Sequence, residues 1–189
     1  MGEQNQAASP PRLFSSGPVF SAVAAVSLDG RRSPTPDQPS DWTSTADKKM
    51  LKRILNGADW LVVGRVTYEL HRRFLCRRRC LVLTGSAQTA WHQDDRLVFR
   101  DPRTLDLPEF FRQVGAGDVT VIGGCRTYSY CLERELIEYL YLTIEPVAFG
   151  SGPPLFDLQP GMCRRFQLDQ CSADQESGSV FLRYRRLRP

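Results

Sequence analysis

No run of about 18 apolar residues occurs anywhere in the chain, which excludes a helix that crosses a membrane. Histidine is scarce: His71 and His92 are the only two, and none of the six cysteines (Cys76, Cys80, Cys125, Cys131, Cys163, Cys171) forms a CxxC pair or has a nearby histidine partner. That pattern leaves no zinc site, so no metal is expected. The opening residues lack the basic start and apolar stretch of an export signal. They are polar and rich in Ser, Gln and Pro, and read as a disordered leader over 1–17 ahead of a single domain over 18–189. Without an export signal, the thiols are expected to be reduced and the protein cytoplasmic. Internal repeats are missing as well. The basic clusters Arg72-Arg73, Arg77-Arg78-Arg79 and Arg183 to Arg188 lack the interleaved aromatics of a base-stacking platform, so a solvated face accounts for them and no nucleic-acid partner is expected.

What is present is enough for one sizeable core: 189 residues, 41% of them hydrophobic, with a net charge of +4 that suits an anionic ligand. Apolar stretches alternate with helical patterns. Val19 to Leu28 reads as a buried first strand, and Ser33 to Trp42 as an irregular, proline-rich loop. Ser44 to Asn56 carries Met50, Leu51, Ile54 and Leu55 at helical spacing and stops at Asn56-Gly57. Trp60 to Gly64 is a short strand, Arg65 to Phe74 a helix, Cys80 to Thr84 a strand, and Leu97 to Phe99 a further short one. Leu107 to Val114 reads as a helix, the Val119 segment as a strand, and about Arg126 to Glu133 as a helix. Glu138 to Ile144 alternates like a strand packed on both faces, and strands over Arg165 to Ser172 and Ser179 to Leu187 close the chain around a polar hairpin. This alternation predicts an α/β fold: a central, mostly parallel sheet with an antiparallel C-terminal edge hairpin and helices on both faces.

In open α/β sheets, ligands bind where strands end. Val121-Ile122-Gly123-Gly124 joins a buried strand to a helix through adjacent glycines, either as a tight turn or as an anion site where N–H groups and the helix dipole converge. Gly64-Arg65-Val66-Thr67 and Thr84-Gly85-Ser86 follow two other strands. With Arg126 and Thr127 they supply arginines and hydroxyls enough for a pyrophosphate. Trp42-Thr43-Ser44-Thr45-Ala46-Asp47 leads into the amphipathic helix. Asp47 fits a capping box opened by Ser44, and equally a carboxyl in the first turn facing a pocket, where burial would raise its pKa for proton delivery; both can hold.

These residues together resemble the dihydrofolate reductase superfold, in particular the branch containing the reductase domain of riboflavin biosynthesis. Ala25-Val26-Ser27-Leu28-Asp29-Gly30-Arg31 is similar to that branch's SLDGR motif. Pro146-Val147-Ala148-Phe149-Gly150-Ser151-Gly152-Pro153-Pro154-Leu155-Phe156 is similar to its proline, glycine and plF segment. The resemblance implies an NADPH-dependent reductase that transfers hydride to a small heterocyclic or ribosylamino-pyrimidine-type substrate. Gly64, Arg65 and Thr67 would hold the dinucleotide phosphates, with Thr84 and Ser86 near the 2′-phosphate. Gly123 and Gly124, joined by a cis peptide, would line the cofactor, and Arg126, Thr127 and Tyr128 would flank its pyrophosphate. The nicotinamide would lie by Ala24, Ala25 and the loop of Leu28, Asp29 and Gly30. Substrate would meet Asp29, Arg31, Trp42 and Leu51, with Asp47 as the proton-handling catalytic residue.

Two departures bear on the substrate. Riboflavin-type reductases carry a glutamate before the paired glycines where this chain has Ile122, and no His-x-Glu with Pro-Cys-x-x-Cys of the companion deaminase occurs. The alternatives are dihydrofolate reductase proper, for which Asp47 and Trp42 speak, and a nucleotide-binding homologue without turnover. The loop from Arg31 to Trp42 is a connector or a lid. Tyr139 to Ile144 with Pro146 to Phe156 is either ordinary core or the interface of a homodimer.

Overall fold

The computed structural model describes residues 17–36, 38–86 and 91–188, so the expected leader lies outside the described residues apart from Gly17. The chain runs β1 (Val19–Ser27), α1 (Thr45–Gly57), β2 (Trp60–Gly64), α2 (Arg65–Leu70), α3 (Arg72–Leu75), β3 (Cys80–Leu83), β4 (Trp91–Asp94) and β5 (Leu97–Arg100). It continues with α4 (Leu107–Gln113), β6 (Asp118–Val121), α5 (Cys125–Glu133), β7 (Ile137–Glu145), β8 (Phe166–Ala173) and β9 (Val180–Arg186).

Among the described residues the strands form one sheet of order β4-β5-β3-β2-β6-β1-β7-β9-β8. From β5 to β7 all pairs are parallel, and β9 and β8 add the expected antiparallel hairpin at one edge. Continuous apolar runs such as Leu61-Val62-Val63 and Cys80-Leu81-Val82 sit in the middle because helices cover both faces there. On one face Phe20, Val62, Leu81 and Val121 pack with Phe111 of α4 and Tyr128, Cys131 and Leu132 of α5. On the other, Val23, Leu61, Val63 and Val82 pack with Leu55 of α1, Tyr68 of α2 and Leu75 of α3. Burial pushes the thiols of Cys80 and Cys131 up to about 12, which fits inert core residues.

Two details differ from the pattern-based reading. The helix expected over Arg65 to Phe74 breaks at His71 (φ −111°, ψ 18°), whose N–H closes α2 on the Thr67 carbonyl while its own carbonyl starts α3. Tyr68 and Leu75 stay on the buried side across the break, so periodicity alone reads one helix. The strand β4 was not expected and adds a second antiparallel edge, beside β5. The strand weighed as an interface, β7, lies inside the sheet between β1 and β9, with both hydrogen-bonding edges taken.

The C-terminal arginines are largely structural: Arg183 pairs with Asp169 at 2.5 Å, and Arg186 with Glu135 at 3.1 Å. In the cluster before β3, Arg78 donates to the Leu55 carbonyl at 2.6 Å and lies over the Phe74 ring. Among the described residues no helix is long and apolar enough to cross a membrane.

The loop after β1 is fastened to the segment after β7. Arg32 N–H donates to the Pro153 carbonyl at 3.0 Å, and Arg31 bridges Pro154. At this seam Gly152 has φ +111°, and a Cβ there would fall on the Ser33 carbonyl. Gly152→Ala is therefore expected to cost about 2 kcal/mol or more, through both left-handed strain and the clash. Gly57→Ala, where a Cβ meets nothing within 4 Å, should be close to neutral. Thermal melts of the two variants against the parent protein check this; equal melting would contradict it.

Candidate functional site

The ends of β2 and β6 come together through their glycines. Gly64 N–H donates to the Gly123 carbonyl at 2.7 Å, and Ile122 N–H to the Val62 carbonyl at 3.0 Å. A Cβ on Gly64 would lie 2.8 Å from Thr127 Oγ1, and one on Gly124 would lie 3.0 Å from Thr67 Oγ1. Each glycine thus admits the threonine that stands three residues past the other glycine. The starts of α2 and α5 interlock at a distance no side chain would permit. The Gly123–Gly124 peptide is cis, as the resemblance implies. Gly124 is the N-cap of α5 and has no side chain to satisfy the first N–H groups.

This interlock forms the wall of a cavity of about 750 Å³. Of the residues expected at a cofactor, Ala25, Gly64, Arg65, Thr67, Thr84, Ser86, Gly124, Arg126, Thr127 and Tyr128 line it. The hydroxyls of Thr84 and Ser86 lie 2.8 Å apart, and Arg65 is paired with Glu69 at 3.0 Å on an exposed surface. Gly123 is buried behind the cavity against the Tyr128 ring. Tyr128 needs a correction too: its hydroxyl is buried and donates to the Val23 carbonyl at 2.6 Å, so only the ring can contribute. Desolvation raises its pKa well above the ordinary value.

Arg32 went unnoticed in the sequence. Its Nη2 lies 3.6 Å from the position of a Cβ on Gly124, while Nε donates to the Pro154 carbonyl at 3.3 Å. A second arginine directly after the SLDGR motif was the available signal.

Asp47 combines a local and a long-range role. Ser44 Oγ accepts its N–H at 3.0 Å, the expected half of a capping box. The reciprocal half is supplied from elsewhere. Ser44 N–H donates to Glu145 Oε1 at 2.9 Å, and the Ser179 hydroxyl donates to Glu145 Oε2 at 2.7 Å. Glu145 and Ser179 are 4% and 0% exposed. With Glu145 in the capping position, the Asp47 carboxyl turns to Thr143 and Thr43 and lines the cavity, 7% exposed. Burial raises its pKa above the ordinary 3.8. Hydrogen bonds from Thr143 and Thr43 oppose the rise, and the nearby Glu145 charge adds to it.

The expected substrate contacts divide. Leu51 lines the cavity with Asp47, whereas Asp29, Arg31 and Trp42 do not. Asp29 accepts hydrogen bonds from Ser27 Oγ at 2.5 Å, Phe149 N–H at 3.1 Å and Gly150 N–H at 2.8 Å, which hold its pKa at about 2. Arg31 Nη1 donates to the Gly152 carbonyl at 3.1 Å. Trp42 Nε1 donates to the Arg32 carbonyl at 3.2 Å, and its ring meets Phe149 edge-on at 4.9 Å. All three fasten the loop after β1 to the segment after β7, through the Asp29 carboxylate, Arg31 Nη1 and the Trp42 ring, while Arg31 Nε is buried without a partner.

No family model matches the chain. It is 27% identical over 141 residues to the uncharacterized protein YwjB of Bacillus subtilis (strain 168), covering 70% of this chain and 79% of that one. Among solved structures it superposes on a pyrimidine reductase-like protein from Corynebacterium diphtheriae NCTC with a TM-score of 0.71 and 18% identity, over 91% of this chain and 93% of that chain. It also superposes on the Thermotoga maritima diaminohydroxyphosphoribosylaminopyrimidine deaminase/5-amino-6-(5-phosphoribosylamino)uracil reductase. There the TM-score is 0.73 and the identity 15%, over 91% of this chain and 57% of that protein. The fold is dihydrofolate reductase-like. In this dihydrofolate reductase-like frame, Ile122 lines the cavity and packs with the core cluster that includes Leu55 and Leu75.

Two measurements probe this geometry. A carboxyl whose folded pKa is raised loses stability for the fold as pH climbs from its unfolded value of 3.8 through its folded value. Asp47→Asn is expected to remove that decline, so its melting temperature at pH 7 should equal or exceed that of the parent; a lower one contradicts the assignment. Gly64→Ala should destabilise by roughly 1–3 kcal/mol through overpacking, and adding Thr127→Ala, which removes the facing oxygen, should recover most of the loss. Denaturant titration of the single and double variants reads the coupling, and additive losses would contradict the interlock.

Proposed function

We propose that the chain is an NADPH-dependent reductase that transfers hydride to a small heterocyclic substrate, as in riboflavin-type reductases. The observation that carries this reading is that one cavity holds both the interlocked glycine turns and a desolvated carboxyl of raised pKa. The residues fit a dinucleotide. Gly64 and Gly124 leave backbone where a Cβ would intrude, α5 presents uncapped N–H groups, and Arg65, Arg126 and Arg32 bring positive charge to the same end. Arg65, Thr67, Arg126 and Thr127 would hold its phosphates, and the Thr84–Ser86 hydroxyl pair would meet a 2′-phosphate.

When bound, the dinucleotide supplies the hydride. Ala25 would bound the nicotinamide end, and Leu51 and Ile122, which line the same cavity as Asp47, would help exclude water from it, which makes charges there more effective. Asp47 would supply the proton that the nitrogen or oxygen of the substrate's double bond takes up on reduction, and its carboxylate would then recover a proton from solvent. Thr43 and Thr143 orient the carboxyl, and Glu145 keeps it from turning back to cap α1. The similarity in fold to the pyrimidine reductase-like protein of Corynebacterium diphtheriae supports the same reading.

Titration of both cofactors by tryptophan fluorescence quenching is expected to show NADPH binding at least about tenfold tighter than NADH, a difference of about 1.4 kcal/mol from the 2′-phosphate contacts. Equal affinity, or a preference for NADH, would remove the cofactor assignment. With a reducible pyrimidine or pterin substrate, turnover should fall as pH rises through the Asp47 pKa. Asp47→Asn should lose about 100-fold or more in rate while keeping cofactor affinity. An unchanged rate would remove Asp47 from the proton transfer, and no turnover in the parent protein despite cofactor binding would leave a binding protein rather than a reductase.

A further inference from the structure

Glu145 carries a charge that a helix cap does not require. It is 4% exposed, one of its oxygens accepts the Ser44 N–H at 2.9 Å, and the other accepts the Ser179 hydroxyl at 2.7 Å. Both contacts donate, as to a carboxylate. No ion pair of Glu145 occurs among the described residues. A neutral amide oxygen would cap Ser44 as well, and Asp47 already stands at the position that ordinarily does so. Burying a second carboxylate near Asp47 costs stability through desolvation and like-charge repulsion, and such costs gather at functional sites.

The hydroxyl that holds Glu145 comes from the turn between β8 and β9, which is braced from within. Asp174 Oδ2 accepts the Ser177 N–H at 2.9 Å and the Ser177 hydroxyl at 2.6 Å, and the Asp174 N–H donates to the Ser179 carbonyl at 2.9 Å. Three oxygens then surround Ser179 Oγ: Glu145 Oε2, Ser177 Oγ at 2.8 Å and Ser44 Oγ at 2.9 Å. One hydroxyl has one proton, and the charged oxygen attracts it most strongly. Ser179 is 0% exposed, so solvent does not compete for that bond.

Thr143 and Glu145 are alternate residues of β7 and share one face of the sheet. Thr143 holds the Asp47 carboxyl, while Glu145 holds Ser44, the N-cap of the helix that carries Asp47. Asp47 and Glu145 are both buried, so little water screens one carboxyl from the other. We propose that Glu145, held by Ser179 of the β8–β9 hairpin, is a positioning residue for the reduction: its fixed negative charge keeps a proton on Asp47 between turnovers. This deepens the reductase reading above and rests on it. Desolvation is the largest cause that raises the Asp47 pKa, and the Glu145 charge adds to it, while hydrogen bonds from Thr143 and Thr43 and the Lys48 charge on α1 oppose the rise. Tyr128 of α5 also faces Asp47, with its hydroxyl committed to Val23. Arg32, Arg65, Arg126 and His71 line the same cavity, and burial lowers the His71 pKa, so at neutral pH His71 adds no charge.

The test reads Asp47 directly, by NMR titration of the full chain carrying a heavy carbon isotope at its aspartate carboxyls; the resonance missing from Asp47→Asn identifies it. Glu145→Gln keeps an oxygen on the Ser44 amide and removes the charge. Losing a neighbouring negative charge makes ionisation easier, so the Asp47 midpoint is expected to fall by about one pH unit. In turnover of a reducible pterin or pyrimidine with NADPH, the falling limb should move down with it, a loss of about tenfold in rate at pH values above both limbs, with the KM for NADPH retained. Ser179→Ala, which leaves Glu145 without its second donor and free to turn away, should move the midpoint the same way by less. Glu138→Gln, near the other end of β7, should leave it in place. A midpoint that stays or rises in Glu145→Gln, one that moves equally in Glu138→Gln, or a turnover limb that does not follow the midpoint would overturn the proposal. If Glu145→Gln does not fold, a midpoint unmoved in Ser179→Ala does the same. Failure of the parent protein to bind NADPH or to turn over is a separate result, which overturns the reductase reading on which the proposal stands.

Discussion

The close approach of β2 and β6 at their carboxyl ends governs the rest of the site. Two glycines and two threonines interlock there, so that α2 and α5 start side by side and direct their first turns into one cavity. Van der Waals exclusion sets this distance more firmly than any hydrogen bond, since the Cβ positions fall inside contact range of the opposing hydroxyls. Positive charge follows from it. Arg65 and Arg126 stand one residue past Gly64 and two past Gly123-Gly124, and Arg32 arrives over Gly124 from the loop after β1.

The other functional group depends on an exchange of roles. A carboxylate three residues into a helix ordinarily spends its oxygens on the N-cap amide. Here Glu145, held by Ser179, takes that amide, and Asp47 keeps only its backbone bond to Ser44. The result is an acid that is buried, oriented by two threonines and open to the cavity, with its neutral form favoured by desolvation. The loop contacts of Asp29, Arg31 and Trp42 support this from outside by pinning the chain between β1 and α1 to the segment after β7, which starts three residues past Thr143 and includes the Gly152 seam.

Much of the architecture was legible along the chain. Short apolar strands, helix starts at Ser44 and Gly124, and the terminal hairpin are local patterns, set by burial periodicity and turn chemistry within a few residues. The glycine turns were legible for the same reason. The break at His71 and the strand β4 were not, because both depend on which neighbour a short segment packs against rather than on its own composition. Asp29, Arg31 and Trp42 illustrate the limit at the site. Their residue types suit ligand contact, but whether a polar atom meets a ligand or a carbonyl of its own chain is settled by folding alone.

By itself, then, the sequence determined the order of elements, the α/β class and the candidate strand ends, since these follow from spacing and from the conformational demands of single residues. The tertiary structure decided what those ends do together. It set Thr127 against Gly64, buried the Tyr128 hydroxyl on Val23, and released the Asp47 carboxyl through Glu145, which is 101 residues away from Ser44 along the chain. The physical reason is that a buried polar atom must be matched by whichever partner comes within about 3 Å, and that partner is fixed by sheet register rather than by any local pattern.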